Sequence, residues 1–402
     1  MANKNGEHLS EAGSEAGARG SNQTGLRVYN ERLILSLIRN QGSAAKAEIA
    51  RLTGLSAQTA SVIMRQLEQD GLIERGDPVR GKVGQPSIPM RLAANGAFFF
   101  GLKIGRRSAD LILVNFLGDV IDRVHLTYAY PEPDQTISFV VDAVARITKG
   151  LDRTLVDRIA GMGISMPGYL WEWADHVGAP AEKMVGWRTR DIREEIAALF
   201  AFPVFLQNDA SCACGAEHVF GGQDYPSEFL YFYVGHFIGG GVVLNRMLFT
   251  GPTGNAGALG PMSIPHNGSL SQLVDLASLS GLEAMIRQAG GDPSGLWEDA
   301  ENWSVPPDIM DAWLEEAARS MTYAIAASCS VIDFELVVID GWLPRDAVKD
   351  LVSRIAHKMP LVDWAGLVRP ELRTGVIGPD ARSLGAASLP LSQKFLTVAG
   401  AL

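Results

Sequence analysis

The residues best placed to do chemistry are Asn208 and Asp209. The apolar run before them, Val204-Phe205-Leu206, has the make-up of a short buried strand, and Ser211 to Glu217 that of the helix after it. A carboxylate at the C-terminal end of a strand lies where open α/β sheets bind ligands. It can serve there as a general base towards a hydroxyl. Cys212 and Cys214 stand two apart on the same expected helix and so point to different faces. They are expected to be small core residues rather than a metal pair.

The elements that position Asp209 belong to a chain of 402 residues, long enough for two or three domains. Apolar residues make up 47% and charged residues 20%, the balance of a globular protein. No apolar run is long enough to span a membrane. Residues 1–22 are polar, lack an apolar core and are expected to form a disordered tail. With three cysteines there is no disulfide framework, which suggests a cytoplasmic setting. Charge is unevenly divided. Residues 21–94 hold ten Lys/Arg against six Asp/Glu, while residues 95–402 carry a net −13. A small basic module on a large acidic body separates nucleic-acid contact from other work.

The basic module, residues 23–94, carries three helical patterns. Tyr29 to Asn40 places Leu33, Ile34, Leu37 and Ile38 on one face, and Lys46 to Thr53 is a short second helix. Gly54-Leu55-Ser56 makes a tight turn, with Ser56 positioned to cap a third helix, Ala57 to Gln69. That helix turns Ala60, Ile63, Met64 and Leu67 inward. The arrangement is a helix-turn-helix whose last helix enters the DNA major groove. Expected DNA contacts are Lys46, Ser56, Gln58, Thr59, Ser61 and Arg65. Two strands near 72–75 and 87–92 enclose a basic loop, a wing from which Arg80 and Lys82 reach phosphate or the minor groove.

The body, residues 95–402, begins with three strands at Phe98–Ile104, 109–115 and Val120–Thr127, then a helix, the strand 159–165, a helix near 190–200 and the Val204 strand. A second half repeats the scheme from Phe229. Its helices are expected near 270–289, 307–331, 345–358 and from Ala381, and its strands near 336–339 and 373–377. Two similar halves imply two α/β lobes, roughly 95–208 and 209–402, around a cleft, with the last helix able to return to the first lobe. Such a cleft is a ligand-binding architecture.

This order of elements resembles the ROK family of repressors and sugar kinases. Asn208-Asp209-Ala210 matches the family's sugar-binding and catalytic Asn-Asp-Ala. Gly235-His236-Phe237-Ile238-Gly239-Gly240-Gly241 resembles its second glycine loop, Gly254-Asn255-Ala256-Gly257 its downstream loop, and Gly186-Trp187 its Gly-Trp near the sugar pocket. The resemblance implies an α/β body of the two-lobed actin-like (ribonuclease H-like) sugar-kinase fold behind an N-terminal winged helix-turn-helix. It implies Asn208, Asp209, Gly239, Gly240, Asn255 and Trp187 as ligand-binding residues.

The departures from the family pattern bear on function. Where family kinases place Asp-Gly-Gly-Thr for metal and phosphates, this chain has Lys103-Ile104-Gly105-Arg106-Arg107. The family's sugar-binding Glu, zinc-associated His and zinc cysteines have no counterparts in Gly257-Ala258-Leu259-Gly260-Pro261 or near His266. Zinc and ATP/Mg sites are therefore expected to be lost, no catalytic residue is assigned, and Asp209 becomes a vestigial base. Lys103 can pair with Asp209 across the cleft floor, or point to solvent. Arg106 and Arg107 either attract an anionic group such as a sugar phosphate or form a charged surface turn.

The preferred reading is a cytoplasmic transcriptional regulator, nucleoid-associated while bound to double-stranded operator DNA. A repressor of carbohydrate uptake or metabolism genes fits best, with a body that senses a sugar or sugar derivative as its small-molecule effector. A homodimer or dimer of dimers suits a two-fold operator, and no membrane is involved. The alternatives are an ATP-dependent sugar kinase and a DNA-binding scaffold with a vestigial pocket.

Overall fold

The computed structural model describes residues 23–78, 88–168, 170–173, 179–222 and 224–397. The expected tail and most of the wing loop, including Arg80 and Lys82, lie outside them. Helix α1 spans Gln23–Gln41, α2 Lys46–Thr53 and α3 Ala57–Gln69. Strands β1 (Ile73–Arg75) and β2 (Met90–Leu92) pair antiparallel, and Ala44 bridges to Met90, bringing the segment between α1 and α2 into the same small sheet. Helix α1 starts earlier than its apolar spacing suggests; an Arg27–Glu31 pair on its exposed side extends it.

Each lobe is built on a five-stranded sheet of the same topology. Lobe one uses β3 (Phe98–Ile104), β4 (Ser108–Val114), β5 (Val120–Thr127), β6 (Ile159–Met166) and β7 (Val204–Asn208), in the order β5-β4-β3-β6-β7. Lobe two uses β8 (Phe229–Val234), β9 (Gly239–Leu244), β10 (Met247–Phe249), β13 (Leu336–Gly341) and β14 (Glu371–Thr374), in the order β10-β9-β8-β13-β14. In both sheets an antiparallel meander supplies one side and parallel strands the other. The alternation in β8 explains how its sheet is covered twice. Leu230, Phe232 and Val234 face the helical side of lobe two, whereas Phe229, Tyr231 and Tyr233 face the molecule's centre. The hairpin of β11 (Ser263–His266) and β12 (Ser269–Gln272) stands where the sequence suggests the start of a helix. Its turn, Asn267-Gly268, has both residues at positive φ, the conformation that favours Asn-Gly in two-residue hairpins.

Two helices lie back to back between the sheets. The interlobe helix Asp209–Phe220 covers the lobe-two sheet, and the C-terminal helix Ala381–Phe395 covers the lobe-one sheet. Glycines set these separations. A Cβ on Gly385 would sit 1.8 Å from the Cys212 carbonyl oxygen, and one on Gly163 would sit 1.8 Å from that of Ala386. At Gly385 the two helices therefore meet backbone to backbone, Gly163 lets β6 approach the C-terminal helix as closely, and near Gly215 the small Ser388 side chain fills the space between the helices.

The winged-helix module shares a core with this centre. One hydrophobic cluster runs from Ile34, Ile38 and Leu67 to Phe99 and Phe116 of lobe one and Phe395 of the C-terminal helix. The Phe395 ring lies 5.0 Å from that of Phe116 and 5.9 Å from that of Phe99. Thr397 N donates to Ser36 Oγ at 2.9 Å, and Arg32 Nε to the Lys394 carbonyl at 3.1 Å. Arg39 donates to the Phe116 carbonyl with its guanidinium over the Phe116 and Phe220 rings. Burial pushes that guanidinium down to about 10.

Candidate functional site

The surface expected to face DNA follows from α3. Ser56 caps it, its Oγ accepting from Thr59 N at 3.1 Å, and Gly54 ends α2 at φ 70, a left-handed conformation that suits glycine. Ala60, Ile63, Met64 and Leu67 are buried against the module's core. Gln58, Thr59 and Arg65 are exposed and Ser61 is half-buried, so one face of α3 is open and polar. Lys46 is exposed at the first turn of α2. Val62, which the sequence reading passes over, stands 59% exposed on the same open face.

The cleft lies at the C-terminal ends of β3, β6 and β7. Asn208 caps the interlobe helix, its Oδ1 accepting from Ala210 N at 3.0 Å and Ser211 N at 3.3 Å. That oxygen is thus engaged in folding. Asp209 sits in the first turn, where the helix dipole favours a negative charge. Its Oδ2 lies 3.5 Å from Arg382 Nη1, on the first turn of the C-terminal helix. The positive partner of Asp209 is therefore Arg382, and the expected Lys103–Asp209 pair is not formed.

Register explains the correction. Lys103 and Asp110 are cross-strand partners on β3 and β4, and Asp110 is in turn opposite His125 on β5. Side chains so placed are near neighbours on one face of a sheet. Lys103 Nζ donates to Asp110 Oδ2 at 2.7 Å and Ser108 Oγ at 2.8 Å, and His125 Nδ1 lies 2.6 Å from Asp110 Oδ1. Burial disfavours the Asp110 charge, but the His125 hydrogen bond and the Lys103 charge outweigh it. They hold the carboxyl well below the usual range. Lys103 is buried and does not point to solvent.

Three cations reach across the cleft onto rings of lobe two. Arg106 lies 4.4 Å from the centroid of Phe237, Arg382 5.0 Å from Tyr233, and Lys103 5.9 Å from Trp342. Burial, with Arg382 nearby, pushes Arg106 down to about 10 although Asp209 opposes the shift. Arg107 donates to the Ala129 carbonyl at 2.6 Å and is also among the residues lining the cleft cavity. A cavity remains among Lys103, Arg106, Ser108, His236, Trp297 and Trp342. Arg382 was not singled out in the sequence. The available signal was the helix's one arginine, standing in the first turn of an otherwise largely apolar and small-residue helix.

Other candidates are placed elsewhere. Trp187 is a core residue of lobe one, buried, with Nε1 donating to the Pro131 carbonyl at 2.9 Å. It is not a cleft residue. Gly239 and Gly240 belong to strand β9 rather than to a loop. A Cβ on Gly239 would meet that of Ala210 at 2.9 Å, and one on Gly240 the Tyr231 carbonyl at 2.3 Å. They allow the interlobe helix and neighbouring strand to approach closely. Asn255 is exposed in a turn, its carbonyl accepting from Ala258 N at 3.3 Å.

The residues present do not fit the family's metals. Lys103, Arg106 and Arg382, all in electrostatic reach of Asp209, would repel a divalent cation in this cleft. At the hairpin, His266 Nδ1 lies 2.9 Å from Arg319 Nη2 and 3.2 Å from Glu316 Oε1. The imidazole's other nitrogen, Nε2, lies 2.8 Å from Asn267 Nδ2.

Comparison with known proteins agrees with this architecture. Residues 29–74 match a model described as winged helix-turn-helix DNA-binding, and residues 99–391 match the ROK family. A xylose repressor of Caldicellulosiruptor bescii is 25% identical over 79% of this chain and 84% of its own. The transcriptional dual regulator NagC of Escherichia coli K12 is 24% identical over 65% of each chain. Among solved structures, a ROK family transcriptional regulator described as a homologue of the E. coli MLC protein superposes with TM-score 0.68 at 20% identity. That match covers 92% of this chain and 97% of the other. A ROK glucokinase from Streptomyces griseus gives TM-score 0.55 at 19% identity, over 73% of this chain and 99% of its own. With the family match running from the first lobe-one strand into the C-terminal helix, the chain belongs to the ROK family.

Proposed function

We propose that this protein is a DNA-binding transcriptional repressor whose cleft senses a sugar or sugar derivative. The observation that carries this reading is the shared core between the winged-helix module and the central helices. Those helices begin at the cleft, with Asp209 and Arg382, and end against α1, with Phe220 and Phe395. A ligand that favours one arrangement of the lobes acts on the DNA module through them, provided it binds the two arrangements with different affinity. The xylose repressors and NagC among the relatives support the regulatory reading.

The kinase alternative is disfavoured by the cations around Asp209. A catalytic base must be open to the substrate hydroxyl, and the transferred phosphoryl group needs a metal. A homodimer on a two-fold operator completes the proposal. The test is selection of duplexes from a randomised pool by the full chain, alongside ATP-dependent phosphorylation assays on a hexose panel. A selected, partly palindromic motif and no turnover are expected. Sequence-independent binding, or turnover of about 1 s⁻¹ or more, overturns the proposal.

A further inference from the structure

We propose that Val62 is a specificity-determining residue of the DNA face, packing against the C5 methyl group of a thymine in the major groove of the operator. This rests on the DNA-binding reading above.

Helix α3 has two unlike faces. Ala60, Ile63, Met64 and Leu67 are buried against the module's core. On the other face Val62 is 59% exposed, more open than any other large apolar side chain in the described part of the module. Residues three and four apart are neighbours on a helix surface, so Val62 stands among Gln58, Thr59, Arg65 and Gln66. All four are polar. Two are held locally: Thr59 Oγ1 lies 2.9 Å from Ser56 Oγ in the cap, and Gln66 Nε2 donates to Asp70 Oδ1 at 2.9 Å. Gln58 and Arg65 are exposed beside the valine.

Folding does not account for Val62. A β-branched residue favours a helix less than alanine, glutamine or lysine does, and at this exposure most of its apolar surface stays in water. A single exposed apolar residue is ordinary on a protein surface. This one stands in the second turn of the helix that a helix-turn-helix lays in the major groove, within the segment that matches a winged helix-turn-helix DNA-binding model. The exposed cations nearby, Arg65 on the same face and Lys46 on α2, suit a polyanion rather than an apolar protein partner. Base edges in the major groove present donors, acceptors and one apolar group, the thymine methyl. Valine neither donates nor accepts, so that methyl is the base feature it can read. Gln58 lies four residues earlier, about 6 Å of helix rise, which spans one to two base-pair steps of about 3.4 Å. The two side chains therefore address different base pairs of one half-site.

The test uses the full chain and the duplex it selects from a randomised pool. Each thymine is replaced in turn by deoxyuridine, which removes the methyl and keeps the pairing. Affinity is read by anisotropy at fixed salt. In the wild type, one replacement per half-site is expected to weaken binding about threefold to tenfold, the loss for one buried methyl contact. Val62→Ala is expected to bind the thymine and uracil forms alike. Its affinity for a scrambled duplex and its salt dependence should not change, because valine carries no charge. The proposal is overturned if no replacement weakens the wild type, or if Val62→Ala keeps the wild-type preference for thymine. Either result leaves the repressor reading standing, since a duplex was selected; failure to select any motif refutes both.

Discussion

Asp209 changes meaning once Arg382 is beside it. A carboxylate at a strand end is a general base only if a substrate hydroxyl can reach it, and here a guanidinium already does. The neighbouring row Lys103–Asp110–His125 is the firmer electrostatic feature. Folding lowers the Asp110 pKa, so its charge stabilises the fold above the unfolded value of about 3.9 and is lost as pH falls from there through the folded value. Asp110→Asn is thus expected to cost about 3 kcal/mol near neutral pH. The gap to the wild type should narrow below about pH 4 in urea unfolding. A gap that stays constant into acid contradicts the pairing. On the DNA face, phosphate and base contacts are separable. Lys46→Ala should weaken all duplexes alike and flatten the salt dependence, whereas Gln58→Ala should relax preference at one base pair. Anisotropy titrations on a selected duplex and a scrambled one distinguish them; equal losses for the two variants would refute the assignment.

At the scale of elements, the C-terminal helix is held by its small residues. Replacing Gly385 by Ala would normally favour a helix by about 1 kcal/mol. Here the added Cβ meets the Cys212 carbonyl, so Gly385→Ala is expected to destabilise by about 3 kcal/mol. Denaturant unfolding gives the sign, and a stabilised variant would show that the two helices are not in backbone contact. What the sequence made legible follows the same logic. Helix α3 announces itself through local signals, a cap at Ser56 and buried residues at helical spacing. The lobe-one strands do so by long apolar runs. The β11–β12 hairpin was hidden because Leu270 and the residues after it fit a helical pattern, although Asn267-Gly268 was the turn signal. Arg382 was hidden for a different reason: its partner is remote in sequence, and only the packing of two helices brings them together. Trp187 fits either a pocket contact or a packing residue from the sequence, and the structure gives it the packing role, because a family motif fixes its neighbours and not the direction of its ring.

At the scale of the whole molecule, two lobes, two central helices and one winged helix share connected cores. No described helix is long and apolar enough to cross a membrane. The central helices run from the cleft to α1, so Phe395 stands between the cleft and the winged helix. Truncating it in a buried aromatic cluster should cost about 3–5 kcal/mol and weaken the coupling more than either binding event alone. The most direct measurement is the affinity of the full chain for its selected duplex, at fixed salt, with and without a ligand that raises Tm. The account predicts a change of about tenfold or more on adding ligand. In Phe395→Ala the change should shrink while the duplex and the ligand still bind. An unchanged duplex affinity at saturating ligand would contradict it.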